Sequence, residues 1–545
     1  MNMKKLRSAI ILSFVISFMF FIFEPITMYA NNVNDFWFDF YTLIGPTMLL
    51  FLGSSLALIL FFAGVHFLAK KLKKPAIYNF TLLFAGGCFL CAYIHSNFLA
   101  GFLPSLDGTT FDWSDITANV VSIVVCLAIA AAIIVAHIKL GFEKTSKYLS
   151  YGGLVIFAML FLSLVSTCLT TPVFEAKGIM ALATNDNLYT VSSDRNFVVF
   201  LVDAVDATNF NKIVQSNDEY KSVLKDFSYF PDTVAGYAFT RDSIPFIFSG
   251  EWNENKEEFS TYASKAYDNS KFFNTLTENG YRKDLYDEEL VWRSNKAFEF
   301  DNIVSIDDGM SLYHLAGQEL KYDLFKFLPF PLKRFSKADK LNFAGTMDRN
   351  SRDAFEWYNV PFYNNHRDRQ ADVTDEKLFH YIHLEGGHVP FDVDADMNPL
   401  EDKSGTYPDK LIVTMKTFAA YIKYLKDNNA YNNATIVFMA DHGYGYDGTD
   451  RQNPILYIKG PNEEHDQMLV SDKQVSYEDL CQAFTELIDG RSSTEIFSEL
   501  PTDGRVRRYI NNHYSAEEHM DEYEQTGKAW DVTTLKLTGR SFDLK

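Results

Sequence analysis

Five apolar segments crowd the first 171 residues of the chain, at 6–23, 43–69, 77–103, 116–138 and 148–170. Each is close to the ~20 residues that an α-helix needs to cross a bilayer, and five of them settle the layout before any other feature is read. The loops give the direction. Lys4, Lys5 and Arg7 precede the first segment, Lys70, Lys71, Lys73 and Lys74 follow the second, and Lys139, Lys144 and Lys147 follow the fourth. The other two loops carry Asp35 and Asp39, then Asp107, Asp112 and Asp115, without Lys or Arg. Basic loops stay cytoplasmic, so an N-terminus inside and five crossings are expected to place everything after Thr171 outside. Residues 1–30 also have the basic start and short apolar core of a signal peptide, although Met28 fits the small-residue cleavage rule poorly. Cleavage would leave four spans and the same external part. Glu24, His66 and His95 lie toward span ends, where interfacial placement is expected.

Charge divides along the same line. Through Thr171 there are 10 Lys+Arg and 7 Asp+Glu; beyond it there are 40 and 63. An external part this acidic argues against a nucleic-acid partner, whose phosphates are met by basic side chains. Cys88, Cys91, Cys126 and Cys168 sit in apolar segments and Cys481 stands alone outside, so no disulfide framework is implied. Cys88-x-x-Cys91 has no second ligand pair and lies inside a span, which argues against a zinc or redox site.

The expected organisation is a membrane region over 1–171, a juxtamembrane helix or linker over 172–195, and an external domain over 196–545. In the external part, strand patterns at 196–203, 281–286, 377–384, 435–441 and 454–459 alternate with helical patterns ending near 226 and at 268–279, 409–429 and 476–488. This alternation predicts a layered α/β domain. Between 287 and 374 the period is lost, and Leu328 to Phe335 (LPFPLKRF) stops any helix. The stretch reads as an insertion near the site, in the manner of a lid.

Two of the apolar strands end in acids. Residues 196–203 read NFVVFLVD and close on Asp203; 435–443 read TIVFMADHG and deliver Asp441 and His442. Buried strands that empty into polar groups at their C-terminal ends place them at the edge where α/β sheets bind ligands. Between them, 236–250 (GYAFTRDSIPFIFSG) sets Thr240 at the mouth of an apolar helix. Its hydroxyl can be an ordinary helix cap or a group exposed for chemistry. Two carboxylates, an imidazole and a hydroxyl suit one divalent cation, and a cation there would activate Thr240 as a nucleophile.

With Asp203, Thr240, the Gly386-Gly387-His388 loop and Asp441-His442-Gly443 in this order, the chain resembles the alkaline phosphatase and sulfatase-like superfamily. It is most similar to the membrane branch, the lipoteichoic acid synthases and phosphoethanolamine transferases. The resemblance takes in the five-span anchor and the external domain. It implies a multi-pass membrane protein with an extracytoplasmic α/β sandwich domain, a mixed sheet between helices, one divalent metal ion and a phospho-threonine intermediate. Carried over by residue, it implies Asp203, Thr240, Asp441 and His442 as metal ligands, with Asp203 where this branch often has Glu, and Thr240 as the nucleophile of T-R-D-S-I-P. It implies His383, His388 and Arg241 around substrate, although Arg241 also reads as a surface ion-pair residue and His383 as a satisfied strand histidine. Relatives often carry a further histidine after D-H-G; here 444–454 has none, and Asp447, Asp450 or Arg451 stand in its place.

The activity this implies is transfer of a phospho-alcohol group, glycerol phosphate or ethanolamine phosphate, from a phospholipid donor to an envelope glycan or lipid. A phosphodiesterase and a catalytically silent envelope scaffold are the alternatives. Sulfate-ester hydrolysis in relatives needs a Cys or Ser converted to formylglycine, which Thr240 cannot supply. Oxygen and imidazole ligands suit Mn²⁺ or Zn²⁺, with Mg²⁺ also compatible.

Overall fold

The computed structural model describes residues 3–33, 36, 38–100, 113–174, 181–287, 299–305, 311–336, 354–400, 403–445, 450–513 and 519–543. The chain divides into two units, Met1–Lys177 with Asp307–Ser351, and Gly178–Ile306 with Arg352–Lys545.

Among the described residues of the first unit, four helices are long and apolar enough to cross a membrane: Leu6–Asn31, Phe40–Lys71, Pro75–Phe98 and Ile116–Thr170. The last is 55 residues long and takes in two of the five expected spans. As one straight helix it would measure about 80 Å, against a hydrocarbon core of ~30 Å. It is broken at Gly141, whose φ of 76° and ψ of 166° are not helical. A Cβ placed on Gly87 would lie 3.1 Å from Ile133, and one on Gly86 3.2 Å from Leu149. Residues on either side of Gly141 thus meet adjacent glycines of the third helix, so the chain turns back at Gly141, in the basic loop. Together these helices have the length and composition of a membrane anchor.

The first helix supplies Ala9, Leu12, Val15 and Met19 to the core of this unit, so removing 1–30 would take out packing and not merely a leader. Glu24 and His95 are buried within the unit. Both Glu24 carboxylate oxygens accept from Lys326 Nζ, at 2.7 and 2.6 Å, and His95 Nε2 lies 2.8 Å from Ser122 Oγ. Lys326 comes from Leu312–Phe327, a helix that ends where the proline-rich LPFPLKRF begins. A burial cost that looks prohibitive for Glu24 alone is offset by a partner 302 residues away. The helix lies in the part of 287–374 expected to be a lid, and it belongs with the apolar helices.

The second unit is built on a seven-stranded mixed sheet. Across it run Leu469–Val470, Ser228–Tyr229, Leu456–Lys459, Ala434–Ala440, Asn196–Val202, Lys377–Leu384 and Tyr281–Tyr286. The last four are parallel to one another; Leu456–Lys459 runs antiparallel to Ala434–Ala440. The central strands are apolar throughout because both faces are covered. On one face Phe438 stacks 3.8 Å from Phe418 of the helix Tyr407–Asp427. On the other, Phe379 packs on Phe272 of Lys271–Glu278, and Phe272 on Phe484 of Leu480–Ile488. The α/β sandwich expected from the alternation is therefore present.

Residues 172–195 are not all linker: Ala181–Ala183 pairs with Ile303–Ser305, and Thr190–Ser192 with Asp372–Thr374, within the second unit. Near the C-terminus, Leu535–Asp543 is the edge of a separate three-stranded antiparallel sheet with Arg507–Asn511 and His519–Gln525.

Candidate active site

Register brings the acids together. Ala440 pairs with Val202 and Val202 with Leu384, so Asp441, Asp203 and Glu385 leave three adjacent parallel strands side by side. Asp441 Oδ1 accepts the backbone N–H groups of Ala204 (3.1 Å) and His442 (2.8 Å). That leaves Oδ2 buried, without a hydrogen bond, 3.3 Å from His442 Nε2. His442 Nδ1 donates to the carbonyl of Gly443 at 2.7 Å, a bond that holds the Nδ1–H tautomer and presents the Nε2 lone pair. Behind Asp203 the backbone of Gly386 passes so closely that a Cβ there would stand 2.5 Å from the Asp203 carbonyl; its φ is +50°. Glycine is required on both counts.

Thr240 is the first residue of the helix Thr240–Ser249, whose cap position, Phe239, makes no side-chain cap bond. The hydroxyl is therefore not spent on capping. Thr240 Oγ1 points at Asp203 Oδ2 (3.4 Å) and His442 Nε2 (3.5 Å). One turn on, Ser243 Oγ donates to the carbonyl of Asp441 at 2.6 Å and pins the helix to the strand. Asp242, fully buried, accepts from Asn253 and Asn512, both at 2.6 Å.

The donor atoms of Asp203, Asp441 and His442 lie within 4.8 Å of one another and all three residues are buried. Two ligands ~2.1 Å from an ion at a tetrahedral angle stand about 3.4 Å apart. The separations here are 3.3, 3.4, 3.5 and 3.7 Å. They are long for hydrogen bonds and right for ligands sharing a cation. Burial pushes His442 down to about 4, so the imidazole is neutral near pH 7, as a ligand must be.

His383 projects from Lys377–Leu384 on the side of the sheet where Tyr381 meets Phe248 of the Thr240 helix. Burial alone would lower its pKa; Asp287, 3.1 Å from Nδ1, with Asp203 and Asp441 behind it, raises it to about 9. It is a cation whose Nε2 is buried without a hydrogen bond. The ring of Trp357 lies 6.0 Å from that of His383 and 5.6 Å from that of His388. Asp287 opens the irregular stretch and Trp357 lies inside it, and neither sits in a motif that would reveal it. Arg241 places its guanidinium 4.1 Å over the ring of Phe259. Arg451 bonds the carbonyl of Gly445 and lies 4.3 Å over Phe239, next to Thr240. Asp447 falls outside the described residues.

A buried cluster of metal-ligand type, with a hydroxyl at a helix start beside it, thus stands at the C-terminal edge of the α/β sandwich. The Sulfatase family model matches residues 195–476, just over half of the chain, and the chain belongs to that family. Its fold is that of an enzyme, and members of the superfamily use a divalent metal ion. A comparison with curated proteins finds no match.

Solved structures similar to the chain include a protein in the alkaline phosphatase superfamily from Vibrio parahaemolyticus (11% identity, 66% of this chain and 85% of that one, TM-score 0.34). A 2-O GAG sulfatase shares 12% identity over 65% of this chain and 85% of that one, with a TM-score of 0.35. The C-terminal periplasmic domain of EptC from Escherichia coli shares 15% over 59% and 90%, with a TM-score of 0.31.

Proposed function

We propose that the protein is a membrane-anchored, metal-dependent phosphotransferase that moves a phospho-alcohol group, glycerol phosphate or ethanolamine phosphate, from a lipid donor to an envelope glycan or lipid through phospho-Thr240. The observation that carries this reading is the convergence of Thr240 Oγ1 with Asp203, Asp441 and His442 at ligand spacing. A divalent cation, Mn²⁺ or Zn²⁺ with Mg²⁺ also suited, held by these four residues supplies the charge that favours an ionised hydroxyl and offsets negative charge on phosphoryl oxygens. Thr240 Oγ attacks the phosphorus of the donor, the bond to the lipid alcohol breaks, and the phospho-alcohol is carried on Thr240. His383, cationic against Asp287, donates from Nε2 to a phosphoryl oxygen or to the departing alcohol. An acceptor hydroxyl then attacks phospho-Thr240 and frees the threonine.

The anchor favours transfer from lipid. A site tethered outside the bilayer, where the loop charges put it, meets phospholipid head groups at high effective concentration. The test is mass spectrometry of the full-length protein incubated with labelled phospholipid. A phospho-alcohol adduct on Thr240 is expected, with T240A unlabelled and at least about 10³-fold less active. Wild-type turnover in T240A would overturn the nucleophile assignment; release of free phospho-alcohol without acceptor labelling would make the protein a phosphodiesterase.

A further inference from the structure

The C-terminal sheet gathers a second set of metal-type donors, on residues separate from those of the Thr240 site. His519 and Asp543 face each other across the antiparallel pair His519–Gln525 and Leu535–Asp543. Asp521, two residues along the same strand, shares a face with His519. On the other side Asp521 pairs with Asn511, and two residues beyond Asn511 the chain turns through a φ of +32° at His513. His513 Nε2 lies 2.9 Å from Asp521 Oδ2, and His519 Nε2 3.3 Å from Asp521 Oδ1. The donors of all three residues fall within 4.8 Å of one another, and the two imidazoles lie 5.8 Å apart at 27°.

The second ring nitrogen of His519 makes this more than a surface ion pair. Its Nδ1 is 2.6 Å from Asp543 Oδ1, so both nitrogens of one ring face carboxylate oxygens. A carboxylate behind Nδ1 holds the proton there and directs the Nε2 lone pair outward, the arrangement that orients metal-bound histidines.

We propose that His513, His519 and Asp521 form a second divalent-metal site of the zinc class, with Asp543 as the carboxylate that orients His519. Two imidazole nitrogens and one carboxylate are borderline donors that suit Zn²⁺, with a water completing four-coordination. The side chains are 28–42% exposed, so the ion exchanges with solvent. Bound there, it ties the end of Arg507–Asn511 to the last two strands of the chain. Asn512, beside His513, is the residue that donates to Asp242 in the Thr240 helix, so the ion braces that contact.

The test is zinc content of the full-length protein in detergent, stripped with chelator and dialysed against micromolar Zn²⁺. H519A is expected to hold one equivalent fewer per chain than wild type, whatever the Thr240 site holds. D543N, which keeps the size of the side chain and serves if H519A does not fold, is expected to bind that equivalent 10- to 100-fold more weakly in chelator competition. Equal zinc in wild type and H519A overturns the site; equal affinity in wild type and D543N overturns the role of Asp543. D441A removes a different equivalent or none, so the two sites are scored apart.

Discussion

Replacing Asp287 by Asn removes one charge and keeps the shape, and its effect follows from a single buried contact. His383, buried, would sit below its ordinary 6.5 were it not for Asp287 at 3.1 Å; with it the value is about 9. The interval from 6.5 to 9 corresponds to about 3 kcal/mol. The folded protein binds this proton more tightly than the unfolded chain, so the stabilisation is complete below pH 6.5 and is lost as pH rises through 9. At 2–4 °C per kcal/mol, about 6–12 °C of melting temperature is at stake. Full-length protein in detergent, with chelator present so that no cation competes, is melted at intervals from pH 6 to 9.5. The wild-type midpoint is expected to fall by that much more than the D287N midpoint between pH 6.5 and 9, because D287N has lost most of the proton affinity. Parallel slopes in the two proteins would refute the ion pair as the source of His383's charge.

Two substitutions near the site have separable costs. G386A forces a Cβ to within 2.5 Å of the Asp203 carbonyl at a φ of +50°, and is expected to cost about 2–4 kcal/mol in denaturant unfolding and to lower metal content by displacing Asp203. Lys410, fully buried, bonds Glu385 at 2.8 Å and Asp392 at 2.9 Å; K410M strands the Glu385 carboxylate and is expected to cost about 3–5 kcal/mol, with K410M/E385Q recovering at least half in a double-mutant cycle.

Part of the site could be read from the chain because apolar strand patterns are local. The runs that end at Asp203 and at Asp441-His442 announce both their burial and the edge at which their acids emerge, and the observed strands end one residue before each acid. Tyr281–Tyr286 and Lys377–Leu384 fall where the alternation places them. In sequence a cap and a nucleophile look alike at Thr240; only the position of Phe239 at the cap frees the hydroxyl. Asp287 and Trp357 lie in the least regular stretch of the chain after Thr171, and no period points to them. The His513, His519, Asp521 and Asp543 cluster has no motif either, because strand pairing assembles it.

Sequence alone determined the apolar anchor, the α/β layering and the types of group at the ends of the central strands, because each depends on a pattern within ten or twenty neighbouring residues. Tertiary structure decided which groups meet: Asp441 with Asp203 across a parallel register, Lys326 with Glu24, Asn512 with Asp242. Those pairings are set by how strands and helices pack at long range, where a shift of one residue turns a side chain to the opposite face, and no local pattern records that choice.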